Sequence, residues 1–181
     1  MSSSYMTKRA LGNSLKAVLL ELPFHKVTVK RIVDHLGVNR QTFYYYFQDI
    51  QQLLTWTLKE EIQQSLSDDV FFENWRLGLL RILFYIQQNE QLCRTIFAST
   101  GRGAYEKAIY EIAYELFWKA EELDFQDRDF DVNVLAVTFQ GLVDQWLEQG
   151  LEEEPKQVLD QACRAVSAYC PAKAGANGLA V

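Results

Sequence analysis

The sequence predicts an all-α protein: an N-terminal helix-turn-helix head of three helices, then a larger helical bundle, about nine helices in all. Three observations support this. Apolar residues recur at three- and four-residue spacing along most of the 181 residues, and no alternating run is long enough for a strand. A glycine separates two short amphipathic segments between Thr28 and Phe47, as in a tight turn joining two helices. Charge is also polarised. Residues 1–50 carry seven Lys or Arg against three acids, and the remaining residues carry eleven against twenty-one. A basic head on an acidic body directs only the head toward a polyanion.

With 49% hydrophobic residues the chain can bury a proper core, which excludes disorder over most of its length. No apolar stretch reaches the ~18–20 residues of a bilayer span. The polar start, Met1 to Thr7, has no apolar signal segment, so a soluble, cytoplasmic protein without a membrane partner is expected. Cys93, Cys163 and Cys170 are odd in number and lack CxxC spacing. They fit small apolar residues in helices better than a disulfide framework or a zinc site. No metal or cofactor is expected.

Taken in order, Leu11, Leu15, Val18, Leu19 and Leu22 form the stripe of a first helix that Pro23 ends. Thr28 caps a second helix carrying Val29, Ile32, Val33 and Leu36, and Gly37 stops it. Asn39 caps a third, Arg40 to Phe47, and Asp49 a long fourth with Leu53, Leu54, Leu58 and Ile62 inward. Phe72 to Gln88 is apolar nearly all round and reads as a buried helix, after which Gly101 and Gly103 break the chain. Tyr105 to Leu123 resumes before the acidic loop Asp124 to Asp131. The seam Val132 to Leu147 has near-heptad spacing, and a last helix carries Leu159 to Cys170. The expected organisation is a head over 1–48, a body over 49–170 and a flexible tail over 171–181.

The informative segment is TVKRIVDHLGVNRQTFYYYF, residues 28–47. At about 100° per residue, Phe43 and Phe47 share one side of the third helix, which they fasten to the second. Gln41, Tyr44 and Tyr45 point the other way. Gln suits adenine edges, Arg40 suits guanine or phosphate, and tyrosine hydroxyls donate well to phosphates. Packing of Tyr44 to Tyr46 against the fourth helix is the competing explanation, and it leaves the glycine turn and the polar partners a coincidence. His25 and His35 read as a loop residue and a helix-surface residue.

The run Thr28, Ile32, Gly37, Val38, Thr42, Phe43, Tyr44, Tyr45 and Phe47, continuing to Asp49 and Leu53, resembles the TetR family of transcription regulators over roughly residues 7–60. The resemblance implies a homodimer on double-stranded DNA, governed by a small-molecule or protein effector. It implies that Thr28, Tyr44, Tyr45 and Tyr46 grip phosphates and that Asn39, Arg40 and Gln41 approach the major groove. Lys30 and Thr42 complete the expected DNA-facing set. Many relatives carry a lysine where this chain has Ile50, and Lys8, Lys26 or Lys30 would replace its phosphate contact. With that isoleucine, the segment Phe47 to Leu53 is similar to a branch that includes regulators of dihydroxyacetone-kinase operons. Some members of that branch act as activators answering to a partner protein, so repression is not implied.

In the body, Trp75, Tyr85, Phe97, Tyr105, Trp118 and Phe139 are candidates to line a ligand cavity, although their helical spacing suits ordinary core as well. Leu135, Phe139, Leu142, Val143, Trp146, Leu159, Ala162, Val166 and Tyr169 are the candidate dimer interface, because the resemblance implies pairing of the last two long helices. An enzyme is not expected. There is no Glu-x-x-His pair, glycine-rich phosphate loop, GxSxG or Cys/His pair. The alternative to a DNA-binding regulator is a helix-turn-helix adaptor that binds a partner protein and has little or no operator recognition.

Overall fold

The computed structural model describes residues 3–64, 74–99 and 101–170. The expected tail over 171–181 and the expected helix start at Phe72 lie outside the described residues. Nine α-helices and no strand occur among the described residues: α1 Ser3–Glu21, α2 Val29–Leu36, α3 Arg40–Tyr46, α4 Ile50–Gln64, α5 Trp75–Gln88, α6 Glu90–Phe97, α7 Arg102–Trp118, α8 Arg128–Glu148 and α9 Pro155–Tyr169. A short 3-10 turn, Phe24–Lys26, links α1 to α2. The all-α expectation holds in class, order and most boundaries. Sequence reading missed α6, which only Asn89 separates from α5. It also missed the first two turns of α1, whose residues are mostly polar.

The chain divides into two compact units. Among the described residues, the first comprises 3–61, 89–99 and 101–108, whereas the expected border is at 48/49. In it, α1 buries Leu11, Leu15, Val18 and Leu19 and packs on α2 and α6. Gly12 marks a close approach between α1 and α4, since a Cβ there would lie 2.7 Å from Thr57 Oγ1. Tyr5 sets its ring edge-on to Trp56 and its hydroxyl donates to Glu60, while Lys16 pairs with Glu61. Segment 89–108 fastens to the same body. Thr55 Oγ1 donates to the Ala104 carbonyl at 3.1 Å, and Gly101 lies against Phe24 and Ile96.

In the second unit, residues 62–88 and 109–170 among those described, α9 packs on α5 and α8. The 149–154 turn is pinned by Trp146 Nε1 donating to the Glu153 carbonyl at 2.9 Å. Glu154 and Gln157 then form a reciprocal capping box, with Pro155 opening α9. Asp131 is buried at the start of α8 and accepts from the Gln126 and Asp127 amides and from the Tyr169 hydroxyl. The Cys170 thiol donates to the Asp124 carbonyl.

The residues of the expected dimer seam differ in burial. Leu135, Phe139, Val143, Trp146, Ala162 and Val166 are all spent inside the chain's own core, whereas Leu142 and Leu159 are half-buried and Tyr169 is exposed. Much of the heptad-like regularity of Val132 to Leu147 is thus taken up by packing within the chain itself. A second strip lies on the opposite face of α8: Phe130 is 60% exposed, Val137 51%, and Val134 and Gly141 share their side.

Gly78 in α5 faces Leu116, whose Cδ2 would lie 2.5 Å from an added Cβ, and Leu116 is itself buried. Gly78→Ala should therefore overpack the core by about 1–3 kcal/mol, outweighing the ~1 kcal/mol that alanine adds to a helix. Gly103→Ala, with nothing within 4 Å, should gain up to ~1 kcal/mol. Thermal denaturation should thus lower Tm for the first and raise it for the second.

Candidate nucleic-acid interface

The turn between α2 and α3 is built from three local bonds that the sequence dictates. Thr28 Oγ1 accepts the Arg31 amide at 3.3 Å and opens α2. Gly37 takes the left-handed conformation, φ 76°, and Val38 N–H returns to the Val33 carbonyl at 3.0 Å. Asn39 Oδ1 accepts the Thr42 amide at 2.9 Å and opens α3. Below the turn, Ile32, Val33, Phe43 and Phe47 are buried, so α3 is held by its apolar face. Asp49 Oδ1 then accepts the Gln52 amide, and Gln52 Oε1 accepts the Gln48 amide, which opens α4.

The opposite face of α3 points outward. Tyr44 is 59% and Tyr45 81% exposed, and Arg40 and Gln41 are exposed. Tyr46 is half-buried and meets Tyr45 edge-on at 4.8 Å, as Tyr44 meets Phe43 at 5.4 Å. Each phenol is thereby braced by a neighbouring ring. Thr28, Lys30 and Asn39 are exposed and Thr42 is half-buried, so none of the expected set is buried.

Charge on this face is free to act. Lys26, Arg31 and Arg40 have no ion pair among the described residues, whereas Lys30 lies 4.0 Å from Asp34. Lys8 lies over the Trp56 ring and Arg9 over Tyr5. Of the three lysines expected to replace the missing contact at Ile50, Lys26 is therefore the uncommitted one. A further link was not foreseen from sequence. Ser14 Oγ donates to the Ile32 carbonyl at 2.6 Å and thus receives the proton of His35 Nδ1, 3.1 Å away, bracing α2 on α1.

The six aromatic residues proposed for a ligand cavity do not gather in one unit. Phe97 and Tyr105 pair edge-on at 6.1 Å in the first. Trp75, Tyr85 and Phe139 are buried in the second. Trp118, expected inside, is 41% exposed, because the end of α7 turns it outward to stack on Tyr114. Trp75 Nε1 is buried without a hydrogen-bond partner among the described residues.

Thiol chemistry is disfavoured. Burial and the nearby Glu61 carboxylate push the Cys93 thiol up to about 12, against a hydrogen bond from Tyr105 that lowers it. Burial also raises Cys163, opposed by Arg76, and Cys170, aided by Asp131 and Asp124. Thiolate, the reactive and metal-binding form, is correspondingly scarce at neutral pH. Among the described residues, no three His, Cys, Asp or Glu side chains could hold a metal ion, and no helix is long and apolar enough to cross a membrane.

A helix-turn-helix with an anchored inner face and exposed cations, amides and phenols has the features of a nucleic-acid-reading head. Comparison with known proteins agrees. Residues 16–55 match the family described as bacterial regulatory proteins, tetR family, and residues 73–168 match the transcriptional regulator C-terminal region of such proteins. The chain belongs to the TetR family of transcription regulators, not to a family of enzymes. It is 28% identical over 97 residues to the HTH-type dhaKLM operon transcriptional activator DhaS of Lactococcus lactis subsp. lactis (strain IL1403). That match covers 54% of this chain and only 52% of the relative, about half its length. The fold resembles a solved structure named dihydroxyacetone kinase operon activator DhaS, at TM-score 0.64 and 20% identity over 91% of this chain and 98% of that one. It also resembles a TetR regulator from Rhodococcus sp. RHA1, at TM-score 0.60 and 13% identity over 93% and 97%.

Cys93 yields a pH prediction. Its thiol holds its proton more tightly folded than unfolded, so its stabilising contribution is complete below the ordinary value of 9.0 and is lost as pH rises toward 12. Denaturant titrations from pH 8 to 11 should show stability falling by up to ~1.4 kcal/mol per pH unit above pH 9, with Cys93→Ala removing that part of the slope.

Proposed function

We propose that the protein binds a near-palindromic operator as a homodimer, each α3 entering a major groove, and that an effector meeting the larger unit controls this. The observation that carries the reading is the exposed side of α2 and α3, where Gln41 and Tyr45 stand in solvent and where Arg31 and Arg40, like Lys26 in the preceding turn, have no ion pair among the described residues. Two such faces about 34 Å apart match one turn of duplex DNA. Thr28, Lys30, Tyr44, Tyr45 and Tyr46 serve as phosphate contacts, and Asn39, Arg40, Gln41 and Thr42 form or support the base-reading edge.

The outward strip of α8 supports dimerisation. Phe130, Val134, Val137 and Gly141 repeat at helical spacing, and an added Cβ on Gly141 meets nothing within 4 Å, so a partner helix has room for close approach. An effector contact is supported by the Trp75 indole, a buried donor with no acceptor among the described residues. A small molecule with such an acceptor accounts for it, and a partner protein remains the other effector class. The likeness to an operon activator supports activation rather than repression as the outcome.

Fluorescence anisotropy with duplex from the gene's own upstream region should give tight, sequence-dependent binding. Arg40→Ala should weaken it by about 1–3 kcal/mol, and Lys26→Ala should lessen the slope of log affinity against log salt by about one. Equal affinity for random duplex would contradict the reading. Val137→Glu should halve the mass measured by light scattering and abolish operator binding; an unchanged mass would remove the α8 strip from the interface.

A further inference from the structure

The amide of Asn39 is more committed than its place on the exposed edge of α3 suggests. Its Oδ1 accepts two hydrogen bonds, from the Thr42 amide at 2.9 Å and from the Thr42 hydroxyl at 3.2 Å. A backbone N–H can only donate, so the atom facing it is the oxygen and the orientation of the amide is chemically fixed. The Thr42 hydroxyl must likewise donate to that oxygen. An amide oxygen has two lone pairs, and both are then used. What remains outward is the NH₂ group, two donors and no acceptor, with no partner among the described residues.

Adenine presents N7 as an acceptor and N6 as a donor in the major groove, so an asparagine makes its two-bond pairing with adenine only with its oxygen free, and a lone NH₂ group approaching N7 meets the N6 donor beside it. Guanine presents two acceptors, N7 and O6, and thymine presents O4. We infer that Asn39 reads a keto base, guanine or thymine, at one position of each half-site and discriminates against adenine there, and that Thr42 is the positioning residue that sets this preference. The inference rests on the reading of α3 as the helix that faces DNA. Thr42 touches no base in this role; it acts by occupying the acceptor that adenine would need.

The test is selection of bound duplexes from a randomised pool by the full-length protein and by three variants. Wild type should enrich a motif with one position per half-site at which guanine or thymine exceeds adenine by about tenfold. Asn39→Ser keeps a capping oxygen but loses the NH₂ group, so it should flatten that position and leave the others intact. Thr42→Val keeps the shape and removes the hydroxyl, which frees one lone pair, so adenine should become acceptable at that position. Thr42→Ser retains the hydroxyl and should behave as wild type. A motif that Asn39→Ser leaves unchanged, or an adenine exclusion that persists in Thr42→Val, overturns the inference and leaves DNA reading standing. Absence of any enriched motif overturns both. Should Thr42→Val fail to fold by circular dichroism, the Asn39→Ser comparison decides alone.

Discussion

The outward chemistry of the head depends on one constraint, the burial of Phe43 and Phe47 beneath a helix of seven residues. Two turns of helix do not persist alone in water. Here α3 exists because two aromatic side chains, each contributing about 1.5–3 kcal/mol by burial, hold it to its neighbours. Its entry is set by the left-handed Gly37 and the Asn39 cap, and its exit by the Asp49 cap of α4. With the inner face immobilised, the outer residues inherit fixed directions, and Tyr45 stays almost wholly in solvent without disordering the helix. Preorganisation of this kind lowers the entropic cost of engaging a rigid duplex.

Support for that head comes also from a distant part of the chain. Segment 89–108 belongs to the same compact unit, with Gly101 against Phe24 and Thr55 bonded to the Ala104 carbonyl. Helices α4 and α7 each contribute residues to both units. A change in α6 or the first turns of α7 thus bears directly on Phe24, in the short turn from which α2 departs.

Much of this was legible from residues alone, and the pattern of success has a physical reason. Thr28, Gly37, Asn39 and Asp49 act locally, within three or four residues of the groups they satisfy, so sequence spacing was enough to find them. The polar opening of α1 was not legible, because its partners Trp56 and Glu60 lie some fifty residues away. Helix α6 was hidden because Asn89 interrupts the pattern for a single residue. The α8 seam was ambiguous for a different reason. This helix is apolar on two faces, and the more regular one, Leu135 to Trp146, satisfies its own protomer, leaving the sparser Phe130 and Val137 outside. Of the candidate site, the solvent exposure of Arg40, Gln41, Tyr44 and Tyr45 was readable from helical spacing, but the bonds that commit individual side chains were not. Only the fold shows Lys26 without an ion pair among the described residues, Lys30 beside Asp34 and the Asn39 oxygen saturated by Thr42.

The knot at Asp131 couples the loop before α8 to the end of α9. One carboxylate gathers two amides of the preceding loop and the phenol of the last helix, and the neighbouring thiol ties the same loop a second time. Nearly forty residues of chain are closed into a ring by non-covalent bonds, so fraying of the final turn and loosening of the acidic loop become a single event. Protease susceptibility of that loop is consequently governed from the far end of α9, and a shortened chain lacking Tyr169 and Cys170 would expose a cut site that lies outside the region removed.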